Sequence, residues 1–387
     1  MKPRSLPFLL GLLAAGAFTA AAAEPTVLFK QGDNDYGIYR MPGLVLTKSG
    51  TLIASAEGRK TLEMRWSQAA PFIRVSKDQG KTWSDAKPFA SAPADAKQNP
   101  VLVDKGAAEP GQIGVHNLTA IADKDGGVHW LYTVEYSRVF YVKTDDNGEN
   151  GSEPVEITSV FDAFKDEIDW KLIATGPGHG IQLKDSGRLV VPVWVSDGTE
   201  GIGLQAAASA TIFSDDGGKT WRRGEIVAKH FTLEKTKTGT AVELPSEGAI
   251  AQAADGTVVL NIRNKALKGQ RVQATSKDGA TGWSEAAFVE GLMEPICQGS
   301  LVSAGDAGLV FANPANMIMR KSLTARVSKD GGKTYPASFV IDDGVAGYSD
   351  LASDGSTVYA IYERGAAPSD RDPEGIAFTS FAIGDAK

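Results

Sequence analysis

One cysteine, Cys297, among 387 residues excludes an internal disulfide, so stability must come from packing of the chain itself. Burial as a small apolar side chain is the reading that suits it. Histidine is scarce too, with four residues, and no His/Cys/Asp group has metal-ligand spacing. Chemistry without a metal or other cofactor is therefore expected. Beyond the first residues there is no apolar run long enough to span a bilayer, and no long helical period. Positive charge is in deficit: the formal net charge of −7 makes nucleic acid a poor partner. It also repels an acidic small ligand unless arginines gather locally.

The N-terminus has the opposite character. Lys2 and Arg4 precede the apolar run Phe8, Leu9, Leu10, Leu12 and Leu13, and Ala21-Ala22-Ala23 follows. This order predicts a cleavable export signal over residues 1–23 and a periplasmic or secreted protein comprising 24–387. With no Cys after the alanines, a lipid anchor is not expected.

What is abundant is turn chemistry. Ser214-Asp215-Asp216-Gly217-Gly218-Lys219-Thr220-Trp221 recurs as Ser76 to Trp83, as Ser276 to Trp283 with Gly282 in the Thr position, and as Ser328 to Tyr335; a worn copy starts at Thr144. The Ser hydroxyl and Asp carboxylate can bond the backbone of the turn, Gly supplies a positive φ, and the aromatic packs beneath. Each copy therefore predicts a capped β-hairpin turn.

A second repeat interleaves with the first. A polar residue opens a short apolar strand, which a Gly-containing turn reverses; the openings fall at Arg40, Asn117, His179, Glu247, Gln298 and Tyr348. Radial repetition follows, as one six-bladed, all-β propeller of four-stranded antiparallel blades. The six opening residues should converge near its axis. Thr26 to Lys30 and Gly375 to Ile383 are expected to share the last blade, removing exposed edges. Asn117-Leu118-Thr119 and Asn150-Gly151-Ser152 fit the glycosylation pattern, relevant in a eukaryotic host.

Tyr39-Arg40-Met41-Pro42 resembles the F/Y-R-I-P motif of the exo-α-sialidases (neuraminidases), and the turn repeats resemble that family's Asp boxes, over about Leu28 to Phe381. The resemblance implies that three arginines, Arg40, Arg263 and Arg320, hold a sugar carboxylate. A guanidinium suits that role, being permanently charged and forked. It implies Tyr348 as nucleophile, activated by Glu247, in a retaining reaction that departs from two-carboxylate glycosidases. A phenol is neutral until deprotonated and does not repel the substrate's carboxylate. Glu363 matches the acid that orients the first arginine, and His179 in Gly176-Pro177-Gly178-His179-Gly180 resembles a further binding stretch. The implied partner is a sialylated glycan.

At one position the chain departs from the pattern. Relatives place a general-acid Asp between Arg40 and the first box, and here Met64 stands there. A thioether donates no proton. Glu63, adjacent to it, and His116, whose unperturbed pKa suits proton donation, are the candidate replacements. Three readings follow: an exo-α-sialidase, a hydrolase of a related 2-keto-acid sugar such as Kdo or KDN, and a propeller that binds sialic acid without cleaving it.

Overall fold

Short apolar runs reversed every ten or so residues by Gly-containing turns favour antiparallel strands, and among the described residues strands far outnumber helices. The computed structural model describes residues 22–61, 66, 68–199, 208–230, 242–365 and 374–386. Most of the expected export signal, residues 1–21, and Glu63 and Met64 lie outside the described residues. Two short α-helices, Pro100–Asp104 and Ser159–Asp162, interrupt the strands. Among the described residues no helix is long and apolar enough to cross a membrane.

The first sheet runs Ile38–Leu46, Leu52–Arg59, Ala69–Ser76, Lys87–Pro88. The second runs Val115–Ala122, Gly127–Val134, Arg138–Asp145, Val155–Glu156, with Gly178–His179 added in parallel at its inner edge. The third holds Leu172–Thr175, Leu189–Ser196, Ala208–Ser214 and Arg222–Lys229; Ile181–Gln182 also pairs with Leu189–Ser196. The fourth holds Gly248–Gln252, Val258–Ile262, Gln270–Ser276 and Ala287–Met293.

The remaining sheet departs from the expected six separate blades. It has seven strands, because the 17-residue strand Ala337–Ser353 pairs with Lys321–Ser328 through its first half and with Thr357–Arg364 through its second. Five sheets are therefore present among the described residues, in a propeller-like arrangement. The expected clasp is there: Thr26–Lys30 lies antiparallel to Gly375–Ala382, from Thr26 opposite Phe378 to Lys30 opposite Gly375.

The core lies between sheets. One cluster joins Val45, Ile53 and Ile73 to Leu118, Trp130 and Val142, and another joins Leu44, Tyr39 and Phe72 to Ile361, Ile376 and Phe378. Two halves of the seven-stranded sheet face one another in the same way, Val310, Leu323 and Phe339 against Leu351, Tyr362 and Phe381. Non-directional apolar burial thus holds the ring, with no covalent link.

The turn repeats form the bonds their residues foretell. In the first, the Ser76 hydroxyl donates to Asp78 (2.8 Å) and accepts from the Gly80 N–H (2.8 Å), while Asp78 accepts from both the Thr82 N–H (2.9 Å) and the Thr82 hydroxyl (2.7 Å). The aromatics reach the preceding sheet, Trp83 onto Phe378 at 5.0 Å and Trp221 onto Tyr141 at 5.6 Å. Gly80 and Gly218, at φ of 87° and 88°, lie where a Cβ would strike those same partner rings. Two copies are threaded differently from the reading above. Thr281, one residue early, takes the Thr role toward Asp278 (3.0 Å). In the worn copy Asp145 accepts from the Glu149 N–H and from Asn150 Nδ2. Asn117 is buried, with its side-chain amide donating to Thr175 O at 2.8 Å, so it is no glycosylation acceptor.

These bonds hold Asp78 and Asp216 down at about 2, chiefly through donation by Thr82 and Thr220. Asp330 also lies at about 2, where burial acts the other way and Thr334 outweighs it. A carboxylate whose folded pKa is depressed stabilises the fold above its unfolded pKa and loses that contribution as pH falls through the folded value. The unfolding midpoint should therefore drop between about pH 4 and pH 2. In an Asp216→Asn/Asp330→Asn variant that slope should flatten, as read by thermal unfolding across the same range.

Candidate active site

The strand openings are bent. Register shifts fall between Arg40 and Gly43, between His116 and Thr119, and between Ala346 and Ser349, and the non-glycine residues Met41 and Asn117 take φ of 56° and 53°. A bulge of this kind redirects a side chain out of the strand's alternation. At the first and last of these bends it brings Arg40 and Tyr348 together.

Glu363, on the strand Thr357–Arg364, sits beneath both. Its carboxylate accepts from Arg40 Nε at 2.7 Å and Nη2 at 3.1 Å, and from the backbone N–H groups of Met41 (3.3 Å) and Tyr348 (3.1 Å). Gly347 leaves the room for this, since a Cβ there would meet Glu363 Oε2. Burial disfavours the Glu363 charge, but Arg40 outweighs it and holds the carboxyl below its ordinary pKa. Burial likewise opposes the Arg40 charge, and Glu363 more than restores it.

Glu247 and Arg263 lie opposite each other at the same end of the fourth sheet's first two strands, where the Arg263 N–H donates to Glu247 O at 3.0 Å. Arg263 Nη1 lies 2.5 Å from both Glu247 Oε2 and Tyr348 Oη, and the Tyr348 hydroxyl donates to Glu247 Oε1 at 2.7 Å. Arg320 is held by Nη2 donating to Ile296 O at 3.0 Å, and its own carbonyl accepts from the Ala346 N–H at 3.0 Å. Three guanidinium carbons thus surround the Tyr348 ring, Arg40 at 5.1 Å, Arg320 at 5.2 Å and Arg263 at 5.8 Å from its centroid. Burial raises the phenol pKa above its ordinary value, while the arginines pull it back. A phenol touching a carboxylate, ringed by three cations, can yield its proton to that carboxylate and attack an electrophile as the anion. The arginines in turn can accept an anionic ligand.

Two residues expected here are elsewhere. His179 lies beside the axis with Nδ1 2.7 Å from Asp350 Oδ1, and it lines a cavity of about 200 Å³ with Leu46, Gln252 and Ser353, which end inner strands rather than open them. Asp350 also accepts from the Ser300 hydroxyl (2.8 Å) and the Leu44 N–H (2.8 Å), so the pair ties inner strands together. Burial alone would lower the imidazole pKa, but Asp350 raises it.

His116 is wholly buried. Its bulge turns it sideways between sheets, stacked on Tyr136 at 4.5 Å with Nδ1 3.2 Å from Glu57 Oε1. It presents no surface to a ligand. Cys297 is buried beside Met41 and Tyr348, and burial pushes its thiol up to about 11.

Sequence reasoning missed several buried charges. Glu57 is held down at about 2, against its burial, by Arg59 and His116; Arg59 Nε donates to it at 2.7 Å, and the Arg59 guanidinium carbon lies 5.5 Å from the Trp66 ring centroid. Arg271, fully buried, donates to Cys297 O at 2.7 Å and to Asn261 Oδ1 at 2.6 Å. A signal existed for the first pair: Glu57 and Arg59 are the only charges in the otherwise apolar or small strand Leu52–Arg59.

These observations define a class: an all-β, propeller-like protein with an axial site of three arginines around a Tyr–Glu pair. The BNR repeat-like domain matches residues 54–361, and the chain belongs to that family, which bears out the resemblance read from its Asp boxes. The relatives it matches are named as sialidases. That of Bacteroides fragilis is 28% identical over 367 residues, 87% of this chain and 62% of the relative. That of Micromonospora viridifaciens is 29% identical over 375 residues, 91% of this chain and 54% of the relative. The chain thus spans less than two thirds of the length of either. Sialidase-2 of Cricetulus griseus, 26% identical, is covered to 97%. Among solved structures, the Hadza microbial sialidase Hz136 superposes with a TM-score of 0.73 at 24% identity, over 94% of this chain and 69% of that one. The Ruminococcus gnavus intramolecular trans-sialidase gives 0.69 at 18% identity, over 93% and 98%. At such identities these two speak for the fold.

Proposed function

We propose that the chain is an exported, retaining exo-α-sialidase that releases terminal sialic acid from glycoconjugates. The observation that carries this reading is the Tyr348 hydroxyl bonded to Glu247 at 2.7 Å inside a ring of three guanidiniums. The family and the names of its relatives support it.

In this reading Arg40, Arg263 and Arg320 take the sugar carboxylate, and Glu363 sets Arg40 before substrate arrives. Glu247 accepts the Tyr348 proton. The phenolate oxygen bonds to the anomeric carbon as the glycosidic C–O bond breaks, and the departing oxygen keeps the bonding pair and takes up a proton. Water then displaces Tyr348 and the sugar leaves with its configuration retained. The seven-stranded sheet is read as two blades sharing Ala337–Ser353, which makes six blades in one domain over 24–387.

Sialyl-lactose and an aryl sialoside, each incubated with the protein and assayed for free sugar, test the proposal. Binding without release would favour the non-catalytic reading, for which Met64 is the motivating residue. Release from Kdo or KDN glycosides instead would change the sugar and keep the clamp.

Met64 also makes a quantitative prediction. General acid catalysis contributes typically 10²- to 10⁴-fold, and a nitrophenol leaves without it. If the chain has no acid, kcat/KM on natural glycosides should trail aryl sialosides by about that factor, and Met64→Asp should narrow the gap. If Glu63 is the acid, Glu63→Gln should widen the gap and Met64→Asp should change little. Equal losses on both substrates for Glu63→Gln would remove Glu63 as the acid.

A further inference from the structure

Apolar side chains are seldom left fully exposed in a group, and a contiguous set marks a contact surface. One set stands beside the arginine cluster. Leu267 is 98% exposed, Ile318 86% and Met317 52%, with Met319, Ile296 and Met293 also in solvent. They come from two neighbouring loops and the end of the strand Ala287–Met293 with the loop that follows it. The Glu294 N–H donates to Gly269 O at 2.9 Å, a Cβ on Gly269 would lie 2.8 Å from the Met317 methyl, and Arg320 bonds Ile296 O.

The charges among these loops have one sign. Residues 264–269 carry Lys265 and Lys268, residues 316–321 carry Arg320 and Lys321, and the one acid among them and residues 293–296, Glu294, is turned inward. It meets Asn264 N–H at 3.1 Å and Arg271 Nη1 at 3.4 Å. In a chain of net charge −7, the loops themselves hold four cations; exposed Glu243 and Asp343 flank them beside Lys265 and Ser322, and the remaining excess of cations around the apolar tips complements a negatively charged, partly apolar surface.

We infer that these three loops dock the protein onto a lipid surface that displays sialylated head groups, with Leu267 and Ile318 entering the interface. The inference rests on the sialidase reading for its substrate. Arg320 links the two, since it belongs to the clamp and directly follows the apolar tips in the chain. A glycolipid head group in the clamp would then have its own bilayer against the loops.

The test uses the protein and a Leu267→Ser/Ile318→Ser variant, both positions being solvent-exposed and outside the clamp. Co-sedimentation with vesicles of phosphatidylcholine and a minority of phosphatidylserine reads docking without any sugar. Rates on a sialylated glycolipid in phosphatidylcholine vesicles and on its free head-group oligosaccharide read the consequence. The variant should lose about tenfold in sedimentation and in glycolipid rate, with the free oligosaccharide turned over as before. Sedimentation without turnover of either substrate would sink the sialidase reading and leave the docking standing. A wild type that fails to sediment, or an equal loss on the free oligosaccharide, overturns the inference. So does a dimer that the substitutions split, because the occupant would then be a second copy.

Discussion

Tyr348→Phe should lower kcat by at least about 10⁴-fold, the scale on which losing a nucleophile costs an enzyme. Sugar affinity should change only a few-fold. The ring stays to fill its place beside Met41 and Cys297, and Arg263 keeps Glu247 as a partner. What disappears is the oxygen that would bond to the anomeric carbon. Calorimetric titration with the free sugar, paired with turnover of an aryl sialoside, separates the two effects. A slow fluorinated analogue should label Tyr348 in the unmodified protein, and a label on another residue would contradict the assignment. Activity that survives in Tyr348→Phe would do the same.

Glu363→Leu should be costly in a second way. The pair it makes with Arg40 is buried, with side chains 3% and 8% exposed, and removing one partner of a buried pair costs about 3 to 5 kcal/mol because the other charge remains. Binding should fall as well, because Arg40 loses its orientation and the Tyr348 N–H its acceptor. Replacing both, as Arg40→Met/Glu363→Leu, should restore much of the stability, since an apolar pair of similar volume is often tolerated. It should not restore binding. Denaturant unfolding and KM on the single and double variants give the comparison. Recovered binding in the double variant would place the carboxylate clamp elsewhere.

The parts of the fold legible in sequence were those carried by local chemistry. An Asp box is a turn that bonds itself, so Ser76, Asp78, Gly80 and Thr82 could be assigned bonds from spacing alone. That Arg40, Arg263, Arg320, Tyr348, Glu247 and Glu363 meet was legible through family-like motifs at strand openings and strand ends. His116 lies away from the arginines because strand position does not say which way a bulge turns a side chain, and His179 because its sequence position does not reveal Asp350 as its partner. The fusion of two sheets was hidden for a related reason. Asp342-Asp343-Gly344 has the composition of a turn, yet the strand passes through it by a bulge, paired with Lys321–Ser328 before it and with Thr357–Arg364 after it. Buried charges such as Arg271 and Asp350 have partners 50 or more residues distant or in other strands, and no local pattern announces them.

The strand Ala337–Ser353 also has a mechanical meaning. It resembles a beam gripped at both ends, by Lys321–Ser328 on one side of its midpoint and Thr357–Arg364 on the other. Tyr348 lies three residues beyond the changeover at Val345, where Gly365 N–H donates to Val345 O and Ala346 N–H to Arg320 O. For the phenol to drift, both halves of the seven-stranded sheet must move together, and Arg320 moves with them. The stiffness of the Tyr348 side chain is then a property of both strand pairings, and loosening either one should be felt at the hydroxyl.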